Sequence, residues 1–135
     1  MTRKGKVVLV CGLIGSGKTT FANKFFDRVT DYDVIGSKVE QIKQTLDAYQ
    51  KGNRVAHITT FPSDYEQEKL LNKIDPCDLD CYWIDKDERE SFNNIINRKR
   101  ARDMQRLEDI KIENKKIMEK KLTNGIHFHW KYVKY

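Results

Sequence analysis

A chain of 135 residues has length for one sizeable core and not for two, and its 26 basic against 20 acidic side chains give a formal charge of +6. No apolar run approaches the roughly 20 residues that cross a bilayer, and three cysteines, an odd number, do not make a disulfide framework. A helical membrane protein and a disulfide-stapled secreted domain are thereby excluded; a cytoplasmic protein is expected, whose positive balance suits a nucleotide or nucleic-acid partner and solubility equally.

The first predicted element is a buried strand over Lys6–Cys11, with Val7, Val8, Leu9, Val10 and Cys11 as a continuous apolar run. It leads into Gly12-Leu13-Ile14-Gly15-Ser16-Gly17-Lys18-Thr19, a complete G-x-x-x-x-G-K-[ST] phosphate loop in the strand-to-helix context the chemistry requires. Glycines there let the backbone curl with N–H groups inward, and the helix that follows adds its positive end. Gly12, Gly15, Ser16, Gly17, Lys18, Thr19 and Thr20 are thus candidate binding residues for ATP or another nucleoside triphosphate. Lys18 reaches the outer phosphates as a mobile charge, and the Thr19 hydroxyl is the candidate ligand of the accompanying Mg²⁺.

Further along, a helix to about Arg28 precedes a second strand at Tyr32–Ile35, and a second helix carries Val39, Ile42, Leu46 and Tyr49 on one stripe before Gly52. A third strand is predicted at Arg54–Thr59, a helix from Ser63 after Pro62, a fourth strand at Asp80–Ile84 and a helix near Asp85 presenting Phe92, Ile95 and Ile96. A basic stretch then runs into a long amphipathic helix marked by Leu107, Ile110, Ile117 and Leu122, closed by Asn124-Gly125 before a last strand at Ile126–Tyr132. Ser37 with Glu40, Ser63 with Glu66 and Asp85 with Glu88 each have the spacing of a capping box. The alternation predicts an α/β fold, a single P-loop NTPase domain over 1–135 with a five-stranded, mostly parallel sheet and helices on both faces.

Other groupings have two readings. Cys77 and Cys81 with His127 and His129 match no zinc spacing, and no structural metal is assigned. Phe128, Trp130, Tyr132 and Tyr135 alternate with polar residues and read as a core-facing strand face or a base-stacking platform, the former favoured. Beyond Arg106 the basic residues read as a solvated helix face with i,i+4 pairs; the cluster at 98–102 reads as functional, because phosphoryl transfer needs positioned positive charge.

The GLIGSGKTT loop, the third strand ending in Thr59-Thr60, the fourth strand Cys81-Tyr82-Trp83-Ile84-Asp85 and the segment Asn97-Arg98-Lys99-Arg100-Ala101-Arg102 together resemble the small P-loop kinases related to the 5′-hydroxyl kinase domain of phage polynucleotide kinase and, more distantly, adenylate kinase. The resemblance implies a lid-like basic helical segment over about 94–122, with Arg98, Arg100 and Arg102 closing over the phosphates. It implies transfer of a γ-phosphoryl group to a nucleotide, a polynucleotide 5′-hydroxyl or another small phosphorylated acceptor. Such kinases keep an aspartate after the second strand as proton acceptor, where this chain has Gly36-Ser37-Lys38-Val39; Glu40 and Asp33 are the candidate catalytic bases. They also end the third strand in an aspartate, for which Thr59, Thr60 or His57 stand in; Asp85 reads as a magnesium aspartate or, preferred, a helix cap. The alternative is a nucleotide-binding module of weakened catalysis that acts through protein or nucleic-acid interaction.

Overall fold

The computed structural model describes residues 5–124 and 128–134. Its sheet has the order β2-β3-β1-β4-β5, and all four pairings are parallel. The strands are β1 (Lys6–Cys11), β2 (Arg28–Asp31), β3 (Arg54–Ile58), β4 (Leu79–Ile84) and β5 (Lys131–Val133). The helices are α1 (Lys18–Phe25), α2 (Tyr32–Ile35), α3 (Lys38–Gln50), α4 (Asp64–Lys69), α5 (Glu88–Arg98), α6 (Ala101–Met104) and α7 (Leu107–Asn124).

β1 is apolar from Val7 to Cys11 because both of its faces are covered. Val8 and Val10 pack on Phe21, Ala22 and Phe26 of the α1 layer. On the opposite face Val7 meets Ile42, Tyr49, Leu70 and Ile74, and Leu9 and Cys11 meet Leu13, Phe61, Trp83 and Ile117. With β3 on one side of β1 and β4 on the other, the chain changes direction across the sheet at β1, so the crevice for a ligand opens beyond the carboxyl ends of these strands.

Several boundaries move from their predicted places. The second strand is Arg28–Asp31, not Tyr32–Ile35: Asp31 Oδ1 accepts from the Asp33 N–H at 3.0 Å and Gly36, with φ 80°, stops the chain, so Tyr32–Ile35 closes as one helical turn despite its strand-favouring side chains. The first helix stops at Phe25, short of Arg28, since Phe26 is extended. The fifth helix is capped by Asp87 with the Glu90 N–H, not by Asp85 with Glu88; the Asp85 N–H is spent on the Val133 carbonyl beside β5. Of the other two caps, Ser63 and Glu66 form a reciprocal box, whereas Ser37 accepts from the Glu40 N–H with no return bond. The last strand is only Lys131–Val133; the predicted turn at Gly125 and the start of that strand fall at 125–127, outside the described residues. Phe128 and Trp130 reach Phe61 and Trp83 from outside the strand, while Tyr132 is exposed and accepts from Lys121 Nζ, so the aromatic alternation splits between core and surface. Val39 and Leu122 are exposed ends of their stripes.

Beneath the crevice lies a buried polar cluster. Both oxygens of Glu66, 2% exposed, are fully engaged: Oε1 accepts from Thr59 Oγ1 at 3.0 Å and the Ser63 N–H at 3.1 Å, Oε2 from His57 Nε2 at 2.7 Å and Lys38 Nζ at 3.3 Å. His57 Nδ1 lies 2.8 Å from Thr45 Oγ1. Burial raises the Glu66 carboxyl, but the His57 hydrogen bond and charge, Lys38 and the Ser63 N–H outweigh it and hold the group at about 2. Glu66 is the ionised member of the pair; burial lowers the imidazole in spite of Glu66. Glu66→Ala, which strands a buried imidazole and leaves the partly exposed Lys38 ammonium without its carboxylate, is expected to cost about 3–5 kcal/mol in urea unfolding. Since the folded carboxyl lies below its ordinary 4.5, the stabilisation is complete above about 4.5 and disappears as pH falls toward 2.

Candidate functional site

The phosphate loop leaves β1 and enters α1 at Lys18, with Gly17 in the left-handed region as N-cap. Gly15 has φ 89°, and a Cβ there would collide with the Ser91 carbonyl oxygen and come within 2.7 Å of Ile95 Cγ1, so α5 seats directly on the loop. At Gly12 a Cβ would stand 2.6 Å from Ser16 Oγ, a buried hydroxyl without a hydrogen-bond partner. Lys18 Nζ donates to the Leu13 carbonyl at 2.8 Å across the mouth of the loop. Burial, with Arg98 nearby, lowers Lys18 from 10.5 to about 8 against the pull of Asp33 and Asp31.

A cleft of about 760 Å³ opens over this loop. It is lined by Gly15, Gly17, Lys18, Thr19 and Thr20 from the loop and α1, by Asp31 at the end of β2 and Asp33 beyond it, by Lys38, and by Thr59 and Thr60 after β3. Arg98, Arg100, Arg102 and Arg106 face it from the other side, with Asp103 and Glu113. Thr19 Oγ1 donates to Asp31 Oδ2 at 3.0 Å, which sets a hydroxyl and a carboxylate beside the lysine. The Thr19 hydroxyl, an oxygen donor beside the loop, fits Mg²⁺, a hard cation that keeps several waters. Arg98 is lowered from its usual range by burial and by the charges of Arg100 and Arg102, a sign of how densely the cations are set. Past Gly15 and Gly17 a smaller pocket of about 360 Å³, shared at Thr20 and Arg98, is lined by Lys86, Asn94 and Asn97.

A known structure shares the fold. A gluconokinase from Sinorhizobium meliloti 1021 superposes with a TM-score of 0.58 at 12% identity over 99% of this chain and 84% of that one. The structure of APE1195 aligns with a TM-score of 0.41 at 18% identity over 96% of this chain and 80% of that one. No family model matches the sequence, and no curated protein matches it. The chain has the P-loop NTPase fold.

Within that fold the predicted residues separate. Gly15, Gly17, Lys18, Thr19, Thr20, the three arginines and Asp33 come together in the cleft, whereas Gly12 and the buried Ser16 lie outside its lining. Glu40 does not: it is exposed on α3, its carboxylate 3.4 Å from Gln44 Nε2, outside the cleft lining. His57 is buried against Glu66 and cannot present itself to a ligand, and Asp85 is neither a cap nor part of the lining. Cys77 is exposed and Cys81 buried, His127 is outside the described residues, and among the described residues no group of three metal-binding side chains forms. Nor is any helix among them long and apolar enough to cross a membrane.

The sequence did not single out Asp31, hidden by the misplaced second strand, or Arg106, which lines the cleft and pairs with Glu113 at 3.0 Å. It also missed two asparagines. Asn114, on α7, accepts from the Ile14 N–H at 2.7 Å and donates to the Ile14 carbonyl at 3.1 Å; Asn94, on α5, donates to the Gly15 carbonyl at 3.1 Å. A signal for Asn114 exists: at i+4 from Ile110 and i−3 from Ile117 it shares their buried face, where an unpartnered amide is costly. The lid-like segment predicted as one basic stretch is three helices, broken at Lys99, with φ 50°, and again before Leu107.

Proposed function

We propose that the protein is an ATP-dependent phosphotransferase that moves the γ-phosphoryl group to a hydroxyl of a nucleotide or of a polynucleotide 5′ end. The observation that supports this reading is the Thr19–Asp31 hydrogen bond, because it sets a carboxylate, the group type that can take a proton from an attacking hydroxyl, next to the lysine and hydroxyl of a phosphate loop. Gly12, Gly15, Ser16, Gly17 and Thr20 shape the polyphosphate cradle, and Lys18 neutralises the outer phosphates. Thr19, its hydroxyl hydrogen-bonded to Asp31, would hold Mg²⁺, which when bound offsets phosphate charge and orients the transferred group. Asp31 is the preferred proton acceptor, with Asp33 beside it. Arg98, Arg100 and Arg102, joined by Arg106, supply charge to the equatorial oxygens during transfer. Lys38 and Tyr32, whose ring lies 5.5 Å from Lys38 Nζ, edge the acceptor side; the smaller pocket toward Lys86 and Asn97 suits the nucleoside end.

A second reading, a nucleotide-binding module with weak catalysis, draws on the end of β3, where Thr59 and Thr60 face the cleft and no carboxylate does. One assay separates them. With γ-labelled ATP and Mg²⁺, label is expected on a nucleoside monophosphate or a 5′-hydroxyl oligonucleotide. Gluconate belongs in the same panel because the gluconokinase shares the fold. Tight ATP binding with no transfer to any acceptor would favour the binding module.

A further inference from the structure

The basic segment 98–106 is bracketed by two amides that grip the same turn of the phosphate loop. Asn94 stands four residues before Arg98, and Asn114 eight residues after Arg106. Asn114 is 2% exposed and takes both polar groups of Ile14, while Asn94 takes the carbonyl of Gly15. Helices α5 and α7 are otherwise joined to the loop by apolar packing, with Ile95 under Gly15 and Ile117 against Leu13.

A trans peptide is planar, so a carbonyl held in one direction points the next N–H the opposite way. By drawing the Ile14 carbonyl toward α7, Asn114 aims the Gly15 N–H away from α7. Its second bond, from the Ile14 N–H, removes rotation about that peptide pair. The orientation of the loop amides and the stance of the arginine helices are therefore linked at two points, one on either side of the helix break at Lys99. Any shift of residues 14–15 on filling with phosphate is carried to α5 and α7 through these bonds.

We propose that Asn94 and Asn114 are positioning residues that couple polyphosphate occupancy of the loop to the placement of the Arg98–Arg106 segment. The inference rests on the reading that the loop binds a nucleoside triphosphate. It is tested by amide hydrogen exchange on the whole chain with and without ATP and Mg²⁺, alongside calorimetric affinity. In the parent protein exchange slows at residues 12–19 and also at 99–110. In Asn114→Ala and Asn94→Ala, slowing at 12–19 persists with affinity within about tenfold, and slowing at 99–110 falls by about tenfold or more. Where transfer is measurable, kcat drops while KM for ATP holds. Asn114→Asp, which still accepts from the Ile14 N–H but repels its carbonyl, shows the same loss. Should Asn114→Ala fail to fold by circular dichroism, the half-buried Asn94→Ala carries the comparison.

Equal slowing at 99–110 in parent and variants, or slowing in the parent confined to the loop, overturns the coupling and leaves nucleotide binding intact. No slowing at 12–19 in the parent overturns the nucleotide reading, and the coupling with it.

Discussion

Lys18→Met is expected to lower phosphoryl transfer by about 10²–10³-fold and to weaken ATP binding, while the melting temperature of the ligand-free protein stays level or rises. The two effects separate because Lys18 is held at a cost. Burial lowers its pKa to about 8, so an uncharged side chain of similar length escapes a desolvation that the ammonium bears. Its folded pKa lies below the ordinary 10.5; the cost to the ligand-free fold is present below about pH 8 and is relieved as pH rises toward 10.5. For nucleotide binding the sign is reversed, since the polyphosphate favours the charged form and pulls the pKa up. Affinity is full below about pH 8 and falls by about tenfold between pH 7 and pH 9, with proton uptake visible as a buffer-dependent heat in calorimetry. A flat affinity over that range, or a fall in melting temperature on Lys18→Met, would mark the lysine as a strut for the Leu13 carbonyl and not a phosphate ligand.

The parts of the site that lie next to one another in the chain were legible in the sequence. The run Val7 to Cys11 followed by the glycine loop specifies a strand, a turn and a helix start within a few residues, and the structure has β1 at the predicted bounds. Ser63 and Glu66 were legible as a box for the same local reason, but not the second duty of Glu66, whose carboxylate also fastens Thr59 and Lys38 at the edge of the cleft. The second strand was misread because Tyr32–Ile35 holds three strand-favouring residues, Tyr32, Val34 and Ile35, against two, Val29 and Thr30, in Arg28–Asp31, and β2 is an edge strand of four residues paired on one side only. What decided the matter was the carboxylate of Asp31 capping the turn that follows, a contact no periodicity encodes. That four-residue error kept Asp31, the residue that ends β2 and lines the cleft, out of the candidate carboxylates. Asn94 and Asn114 were invisible for another reason: their partners are backbone groups 79 and 100 residues away, set by packing of α5 and α7 on the loop.

Asp31→Asn is expected to reduce kcat by about 10²–10⁴-fold with ATP affinity changed by less than about threefold in the absence of acceptor. The asparagine keeps a carbonyl oxygen for the Asp33 N–H, so the α2 turn and the position of Tyr32 survive, and its amide still reaches Thr19 Oγ1. What it loses is the negative charge and the capacity to take a proton from an attacking hydroxyl, both of which matter most once the acceptor is in place. Asp33 supplies the internal comparison. It lines the same cleft but is exposed and donates its own N–H to Asp31, so Asp33→Asn should cost less than about tenfold. The reverse ranking would transfer the proton-accepting role to Asp33 and leave Asp31 as the cap and the partner of Thr19. Equal, small effects from both would remove the support that a carboxylate beside the phosphate loop lends to hydroxyl phosphorylation, and would favour a protein that holds its nucleotide without spending it.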